Sequence, residues 1–326
     1  MVLGELAMKN EVVAVIGGAG FVGRNVVREL CKRGARVVVG CRDTESAKFL
    51  RSMGDIGQVN LIKVNIANYD QMSRALEGAD HVVSLVGILH ETRGNTFETA
   101  QANGPLIVGK IAREKGIKSL VHISAIGADI KSKSIYASSK GLGECHIRDE
   151  FEKTTILRPS IIFGPDDNFF NRFANLAAFA PVLPLIGGGK TKFQPVYVQD
   201  VASAIMVAIE DSSKAGKNFE LGGPSIYSFR ELLELLASHT LRKRKLISIP
   251  FSLARLQANV LELLPNPPLT RDQVELLKTD NVVSEEALTF QDLNISPVSC
   301  EVILPTYLDR FKPGGRYNRS RINTQS

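Results

Sequence analysis

The sequence predicts an α/β protein: a Rossmann-type doubly wound parallel sheet with a smaller, mostly helical C-terminal domain over the cleft. Three observations carry this prediction. Short apolar runs alternate with longer amphipathic segments up to about residue 163, the glycines Gly17, Gly20 and Gly23 directly follow the first run, and the alternation breaks beyond Gly164. Strands alternating with helices imply βαβ units with right-handed crossovers, and so a parallel sheet.

In chain order, Val12–Ile16, Arg36–Val39, Leu61–Val64, His81–Val86, Ser119–Ile123 and Thr155–Leu157 read as buried strands. After the first, Val22, Val26, Val27 and Leu30 fall at helical spacing, with Arg24, Asn25, Arg28, Glu29 and Lys32 outward and Gly34 placed to close the helix. Residues 1–163 are expected to form the dinucleotide-binding domain, and 190–222, with "FQPVYVQDVASAIMVAIE", return to it as one more strand and helix. The smaller domain takes 164–189 and 223–326. Within it, Phe173 to Gly189 reads as a helix followed by a loop, with Gly187, Gly188 and Gly189 as a flexible joint. Ser228 is the expected N-cap of a helix carrying Glu231 three residues on. From residue 241 the chain reads as helical, proline-broken and basic.

Hydrophobic residues at 44% and charged residues at 23% are ordinary for a soluble globular chain and exclude disordered and fibrous classes. The net charge of +6 is concentrated in the block Arg242, Lys243, Arg244, Lys245 and in Arg310, Lys312, Arg316, Arg319 and Arg321 of the tail. Such clusters suit an anionic membrane surface or phosphates, whereas 6% aromatic residues and no recognition motif argue against nucleic acid. The four cysteines form no C-x-x-C pair and the five histidines lack ligand spacing, so neither a disulfide framework nor a metal site is expected. His122, inside "LVHIS", reads as a core histidine. No signal-peptide h-region or Arg-rich presequence opens the chain, and Pro181 and Pro184 break its longest uncharged stretch. The expected location is the cytoplasmic side of a bacterial inner membrane, peripherally bound, or the matrix side of the mitochondrial inner membrane in a eukaryote.

Gly17-Gly18-Ala19-Gly20-Phe21-Val22-Gly23 is a G-x-x-G-x-x-G turn between a strand and a helix. Its glycines permit the tight turn, the approach of a pyrophosphate and close helix–strand packing, and the helix N-terminus faces the phosphates. Nineteen residues after Gly23, where an NAD site places a carboxylate for the ribose 2′-hydroxyl, stands Arg42, with Asp43 one step further on. An arginine pairs bidentately with a 2′-phosphate, so NADPH is the expected cofactor and NADH or NAD the less favoured one.

Tyr136 and Lys140 are four residues apart in a helical segment, Ser124 follows the strand "LVHI", and Asn103 precedes them. Chemically such a set can work: a lysine ammonium lowers the tyrosine pKa and holds the nicotinamide ribose, while the serine orients a carbonyl.

The glycine loop, "SLVG", Asn103-Gly104, Ser124, Tyr136-x-x-x-Lys140, "ILRPSIIFGP" and "PVYVQDVASAI" together resemble the extended or atypical short-chain dehydrogenase/reductase superfamily, from about residue 11 to 225. The resemblance implies further cofactor contacts at Asn65, Ile66, Leu85, Val86, Gly87 and Pro159, beside Tyr136 and Lys140. Two positions depart from the pattern: Ile16 replaces the usual threonine before the first glycine, and Asn65 replaces the aspartate that meets the adenine. "RSMGDIGQV", "GCRD", "IKSKSIYASSKGLGE", "QPVYVQDV" and "PPLTRDQVELLKTDNVVS" narrow the resemblance to the branch of NADPH-binding accessory subunits of respiratory complex I and their bacterial relatives. That branch implies a nucleotide held as a structural cofactor and docking on complex I near the quinone site. The alternatives are a working reductase, epimerase or dehydratase using Ser124, Tyr136 and Lys140, and an NAD(P)H sensor without chemistry. In "IPFSLARLQANVLELLP", Leu253, Leu256, Val260 and Leu264 form one helical stripe beside the Arg242–Lys245 block, suited either to a core or to a membrane or subunit contact.

Overall fold

A computed structural model of the chain describes residues 7–92, 94–265 and 267–315. Arg316, Arg319 and Arg321 of the basic tail lie outside the described residues. The elements run β1 (Val12–Ile16), α1 (Phe21–Lys32), β2 (Arg36–Cys41), β3 (Val59–Lys63), α2 (Tyr69–Ala75), β4 (His81–Ser84), α3 (Gly104–Glu114), β5 (Ser119–Ile123), α4 (Ile135–Glu150), β6 (Thr155–Pro159) and β7 (Ile162–Phe163). They continue with α5 (Phe170–Phe179), β8 (Val182–Ile186), β9 (Lys192–Phe193), β10 (Val196–Tyr197), α6 (Val198–Glu210), β11 (Asn218–Leu221) and β12 (Tyr227–Ser228). The last are α7 (Phe229–Thr240), β13 (Lys245–Ile249), α8 (Phe251–Leu261), α9 (Arg271–Leu276) and α10 (Cys300–Leu308).

The chain divides into two compact units. The first runs to Pro159 and adds Val198–Leu221 and Ser284–Ser296. Its seven strands are ordered β11-β6-β5-β4-β1-β2-β3 and every neighbouring pair is parallel. The order reverses direction between β1 and β4, the switch point at whose carboxyl end a doubly wound sheet binds its ligand. Because helices cover both faces, the strands are near-continuous apolar runs: β4 is buried throughout and β1 from Val13 on. One core layer packs Ile16, Met72, Leu76, Ile111, Leu120 and Ile147 between sheet and helices. Ser284–Ser296, which the sequence reading gives to the C-terminal part, is held here by Glu220, whose N–H donates to Leu288 O (2.8 Å) and whose carboxylate accepts from the Ser284 N–H.

The second unit comprises Ser160–Tyr197, Gly222–Val283 and the chain from Pro297 on. Its core gathers Phe163, Phe170, Phe229, Leu232, Leu236 and Leu304, around a cluster of edge-to-face rings in which Phe169 meets Phe170, Phe173 and Phe229. The expected cap of α7 forms in full: Ser228 Oγ accepts from the Glu231 N–H and the Glu231 carboxylate from the Ser228 N–H. Two expectations are corrected. The loop expected after α5 is strand β8, and the segment expected to be helical from residue 241 opens with strand β13, which pairs parallel with β8 from Val182↔Lys245 to Ile186↔Ile249. Both runs are too short and too apolar for periodicity to separate strand from coil or helix, and their pairing makes them a two-stranded ladder. Gly187, Gly188 and Gly189 follow β8 with φ of 62°, 73° and 71°, values that favour glycine.

An ion pair locks α4 onto β6 of the first unit's sheet. The Arg158 guanidinium grips the buried Glu144 carboxylate through Nε (2.9 Å) and Nη2 (2.5 Å). Removing the arginine leaves that carboxylate buried and unpaired, so Arg158→Met is expected to destabilise the protein by about 3–5 kcal/mol in chemical denaturation. Adding Glu144→Gln should restore much of the loss, and no restoration would place the cost elsewhere than in the orphaned charge.

Candidate functional site

The glycine loop lies at the switch point. Gly17 has φ of 87°, donates its N–H to Gly40 O (2.9 Å) and accepts from the Gly20 N–H (3.1 Å), so the chain turns sharply as it leaves β1. A Cβ on Gly17 would meet the Val86 backbone N at 3.3 Å, which puts the segment after β4 directly beside the loop. A Cβ on Gly23 would lie 2.5 Å from Gly18 Cα and 2.6 Å from Gly17 O. Only glycine lets α1 begin this close to the loop. Gly20 is the N-cap of α1, no side chain caps the helix and no acidic residue sits in its first turn. The first N–H groups, contributed by Phe21, Val22 and Gly23, are therefore left for an anion. The cradle fits a pyrophosphate.

At the tip of β2, a Cβ on Gly40 would stand 2.8 Å from Ile16 Cδ1, so that side chain packs directly against the glycine. Arg42 is exposed. Asp43 is committed to the following turn: its carboxylate accepts from the N–H groups of Glu45 (2.9 Å) and Ser46 (3.4 Å), and the Ser46 side chain, then these two N–H groups, lower its pKa. The acid nearest the adenosine position is thereby turned inward on its own loop. Arg24, next after Gly23, stacks its guanidinium over the Phe49 ring at 5.4 Å; the sequence reading counts it only as an outward helix residue. Asn65 is exposed and its side chain accepts from the Ala67 N–H, whereas Ile66 is buried against Gly104. Leu85 donates its N–H to Ile16 O (2.9 Å) at the carboxyl end of β1; β4 ends at Ser84, two residues before the expected Val86, and Gly87 follows. Pro159, the last residue of β6, accepts from the Ile126 N–H (3.0 Å).

The helix α4 starts at Ile135, capped by Ser134 Oγ on the Ala137 N–H, and the i, i+4 spacing sets Tyr136 and Lys140 on one face. Phe97 meets the Tyr136 ring edge-on at 6.1 Å. Lys140 is 4% exposed and its ammonium donates to Ile123 O (3.0 Å), the residue before Ser124. Burial pushes the Lys140 pKa down to about 8, with Glu144 one turn away partly opposing the shift. A Cβ on Gly87 would come 3.2 Å from Lys140 Nζ, so the loop after β4 reaches this lysine. Ser124 Oγ is buried without a hydrogen-bond partner. A buried hydroxyl without a partner beside an ammonium of tuned pKa is the mark of a site that a ligand completes.

Asn103 lies at the N-cap position of α3, partly buried, and its side chain makes no cap hydrogen bond there. Gln101, which the sequence reading passes over, is buried nearby. Its Oε1 accepts from the Ile88 N–H (3.3 Å) and its Nε2 donates to Ser139 Oγ (3.1 Å), linking the loop after β4 to α4. The segment Glu98–Asn103 is a π-helical turn in which Gln101 is buried and Asn103 partly buried. His122 is a core histidine: Nδ1 lies 3.2 Å from Ser84 Oγ and burial lowers its pKa to about 3, keeping the ring neutral. Among the described residues, no group of three or more His, Cys, Asp or Glu could hold a metal ion.

The glycine cradle at the switch point of a doubly wound parallel sheet defines a dinucleotide-binding protein of the Rossmann type. The chain belongs to the NAD dependent epimerase/dehydratase family, which matches residues 13–222. Over 324 residues it is 34% identical to the mitochondrial NADH dehydrogenase [ubiquinone] 1 alpha subcomplex subunit 9 of Arabidopsis thaliana, covering 96% of this chain and 81% of that one. It is 28% identical to the mitochondrial NADH-ubiquinone oxidoreductase 40 kDa subunit of Neurospora crassa, over 97% of this chain and 83% of that one. In fold it is similar to a UDP-glucuronic acid 4-epimerase from Bacillus cereus solved with UDP-glucuronic acid and NAD, at TM-score 0.70 and 20% identity, over 91% of this chain and 98% of that one.

Proposed function

We propose that the chain is an NADPH-holding accessory subunit or assembly factor of respiratory complex I, in which the nucleotide is a structural cofactor. The observation that carries this is the extent of the likeness. The family match ends at residue 222, whereas identity to the complex I subunit runs over 96% of the chain and so includes the C-terminal part. The C-terminal part, beyond the family match, is where the partner contact is placed.

The bound nucleotide would supply a nicotinamide ring able to carry hydride. Around it, the N–H groups of the Gly17–Gly23 loop and the start of α1 hold the pyrophosphate, Arg42 pairs the 2′-phosphate, and Asn65 with Ile66 borders the adenine. Leu85, Val86, Gly87 and Pro159 line the path to the nicotinamide end, where Lys140 faces the ribose. Asp43, spent on its turn, offers nothing to the 2′-hydroxyl of NADH, which supports NADPH. Arg42→Ala should weaken NADPH binding roughly 10- to 100-fold in titration, the worth of a charge-assisted pair, and leave NADH binding within about twofold. Equal losses for both nucleotides would overturn the 2′-phosphate assignment.

The chain is expected beside complex I subunits near the quinone site, as a peripheral protein, with the Arg242–Lys245 block toward anionic headgroups. No helix among the described residues is long and apolar enough to cross a membrane. Purifying the protein from its native membrane and releasing its nucleotide by denaturation tests the whole reading. Tightly retained NADPH in a fraction containing complex I subunits is the expected result, and a protein found only in the soluble fraction, apart from those subunits, sinks it. Ser124, Tyr136 and Lys140 on one site support a second reading, a working reductase, epimerase or dehydratase. It requires exchangeable cofactor and an activity lost on Tyr136→Phe.

A further inference from the structure

Helix α8 is built inside out. Its core-facing residues are the small Ala254 and Ala258, packed with Ile186 and Val274, whereas its large aliphatic residues point away from the core. Leu253 is 46%, Leu256 62%, Val260 64% and Leu264, just past the helix, 50% exposed. At i, i+3 and i+7, Leu253, Leu256 and Val260 share one face of the helix, and Leu264 follows it in the turn. The strand leading into α8 adds an exposed Ile247. A single exposed leucine needs no explanation, but a continuous aliphatic stripe with alanine beneath it does.

The charge around the stripe says what covers it. No Asp or Glu occurs from Lys243 to Leu261, a stretch that carries Lys243, Arg244, Lys245 and Arg255. Lys243, Lys245 and Arg255 are exposed and none has a carboxylate partner among the described residues. Glu262, the first acid after the helix, is held by Arg271 at 2.7 Å. Arg244 anchors the block by donating Nε to Ala177 O (2.7 Å), which leaves the two lysines to the surface. A second copy docking by the same face would bring these cations together. An anionic bilayer instead takes the aliphatic side chains at the boundary of headgroups and acyl chains and the cations among the phosphates.

We propose that the outward face of α8, with the start of β13, seats the protein on an anionic lipid surface, α8 lying in the plane of the interface. This rests on the membrane-side reading above and identifies the element and the residues that make the contact.

The test uses the full chain with its nucleotide bound, sedimented with vesicles of phosphatidylcholine alone or mixed with phosphatidylglycerol. The native protein should partition onto the mixed vesicles and lose that partition in high salt. Lys243→Gln with Lys245→Gln should cut it about 30-fold, since each surface cation near such a membrane contributes about 1 kcal/mol. Leu256→Ser with Val260→Ser should cut it at least about tenfold. Both double variants should keep their nucleotide and Tm, because the replaced side chains are exposed. No partition by the native protein, or equal partition by the Leu256→Ser, Val260→Ser variant, overturns the proposal. So does a native protein that ignores vesicles while that variant loses a dimer or its place among complex I subunits, an outcome that assigns the stripe to a protein. Co-purification of the native chain with complex I is scored separately. Vesicle binding without co-purification sinks the respiratory reading alone, and co-purification without vesicle binding sinks this one alone.

Discussion

Alanine at Gly23 is expected to strip the nucleotide from the purified protein. The added Cβ would stand 2.5 Å from Gly18 Cα and 2.6 Å from both Gly17 O and Gly18 C. Carbon atoms rest about 3.5–4 Å apart, so the loop or the start of α1 must move by about 1 Å. All the nearest atoms are backbone, and no rotamer change relieves the contact. The groups displaced are those that hold the pyrophosphate, and a misplacement of that size costs about 100-fold in a preorganised site. NADPH released on denaturation should fall from near stoichiometric to trace, with a lower Tm. Gly18→Ala is the comparison, because its closest contact, at 2.8 Å, is the Val39 side chain, which can give. Retention of NADPH by Gly23→Ala equal to that of Gly18→Ala would show that the approach of α1 to the loop does not set the affinity.

Lys140→Met should stabilise the nucleotide-free protein. Lys140 is almost wholly buried, its pKa is pushed from 10.5 to about 8, and that gap corresponds to roughly 3 kcal/mol of desolvation cost. Below pH 8 the ammonium is charged in the folded and the unfolded chain alike, so folding bears the whole cost. Between about pH 8 and 10.5 the folded chain sheds this proton while the unfolded chain keeps it, and stability rises with pH. The gain from Lys140→Met is thus expected to be about 2–3 kcal/mol at pH 7 and to fade toward pH 10, read by denaturation at several pH values. A gain independent of pH would mean that packing, not charge, had changed. Loss of nucleotide from the same variant would show that the cost is borne for the sake of the site.

The strand–helix alternation and the glycine spacing made the first unit's sheet legible, since periods of 2 and 3.6 and a G-x-x-G-x-x-G turn are local signals. The placement of Tyr136 and Lys140 four residues apart on one helix was legible for the same reason. The strands β8 and β13 were not, because their identity depends on pairing with each other across some 60 residues rather than on either sequence. The burial of Gln101 was not legible, because it lies in a π-helical turn and periodicity presumes a regular helix. The Arg158–Glu144 pair was missed because fourteen residues separate the partners and only the packing of α4 on β6 joins them. The stripe on α8 was visible in the sequence, but its outward orientation follows from where the alanines pack.

The chain passes between the two units five times, and the last piece of the nucleotide-binding unit is Ser284–Ser296. Synthesis from the N-terminus normally lets a leading domain finish folding before the next appears. That order is denied here. Glu220 on the edge strand β11 waits for Leu288 and Ser284, so the unit whose loop opens at Gly17 is completed only when nearly the whole chain has left the ribosome. A stop codon placed after residue 222, at the end of the family match, would therefore yield an unfinished nucleotide-binding unit rather than a minimal one.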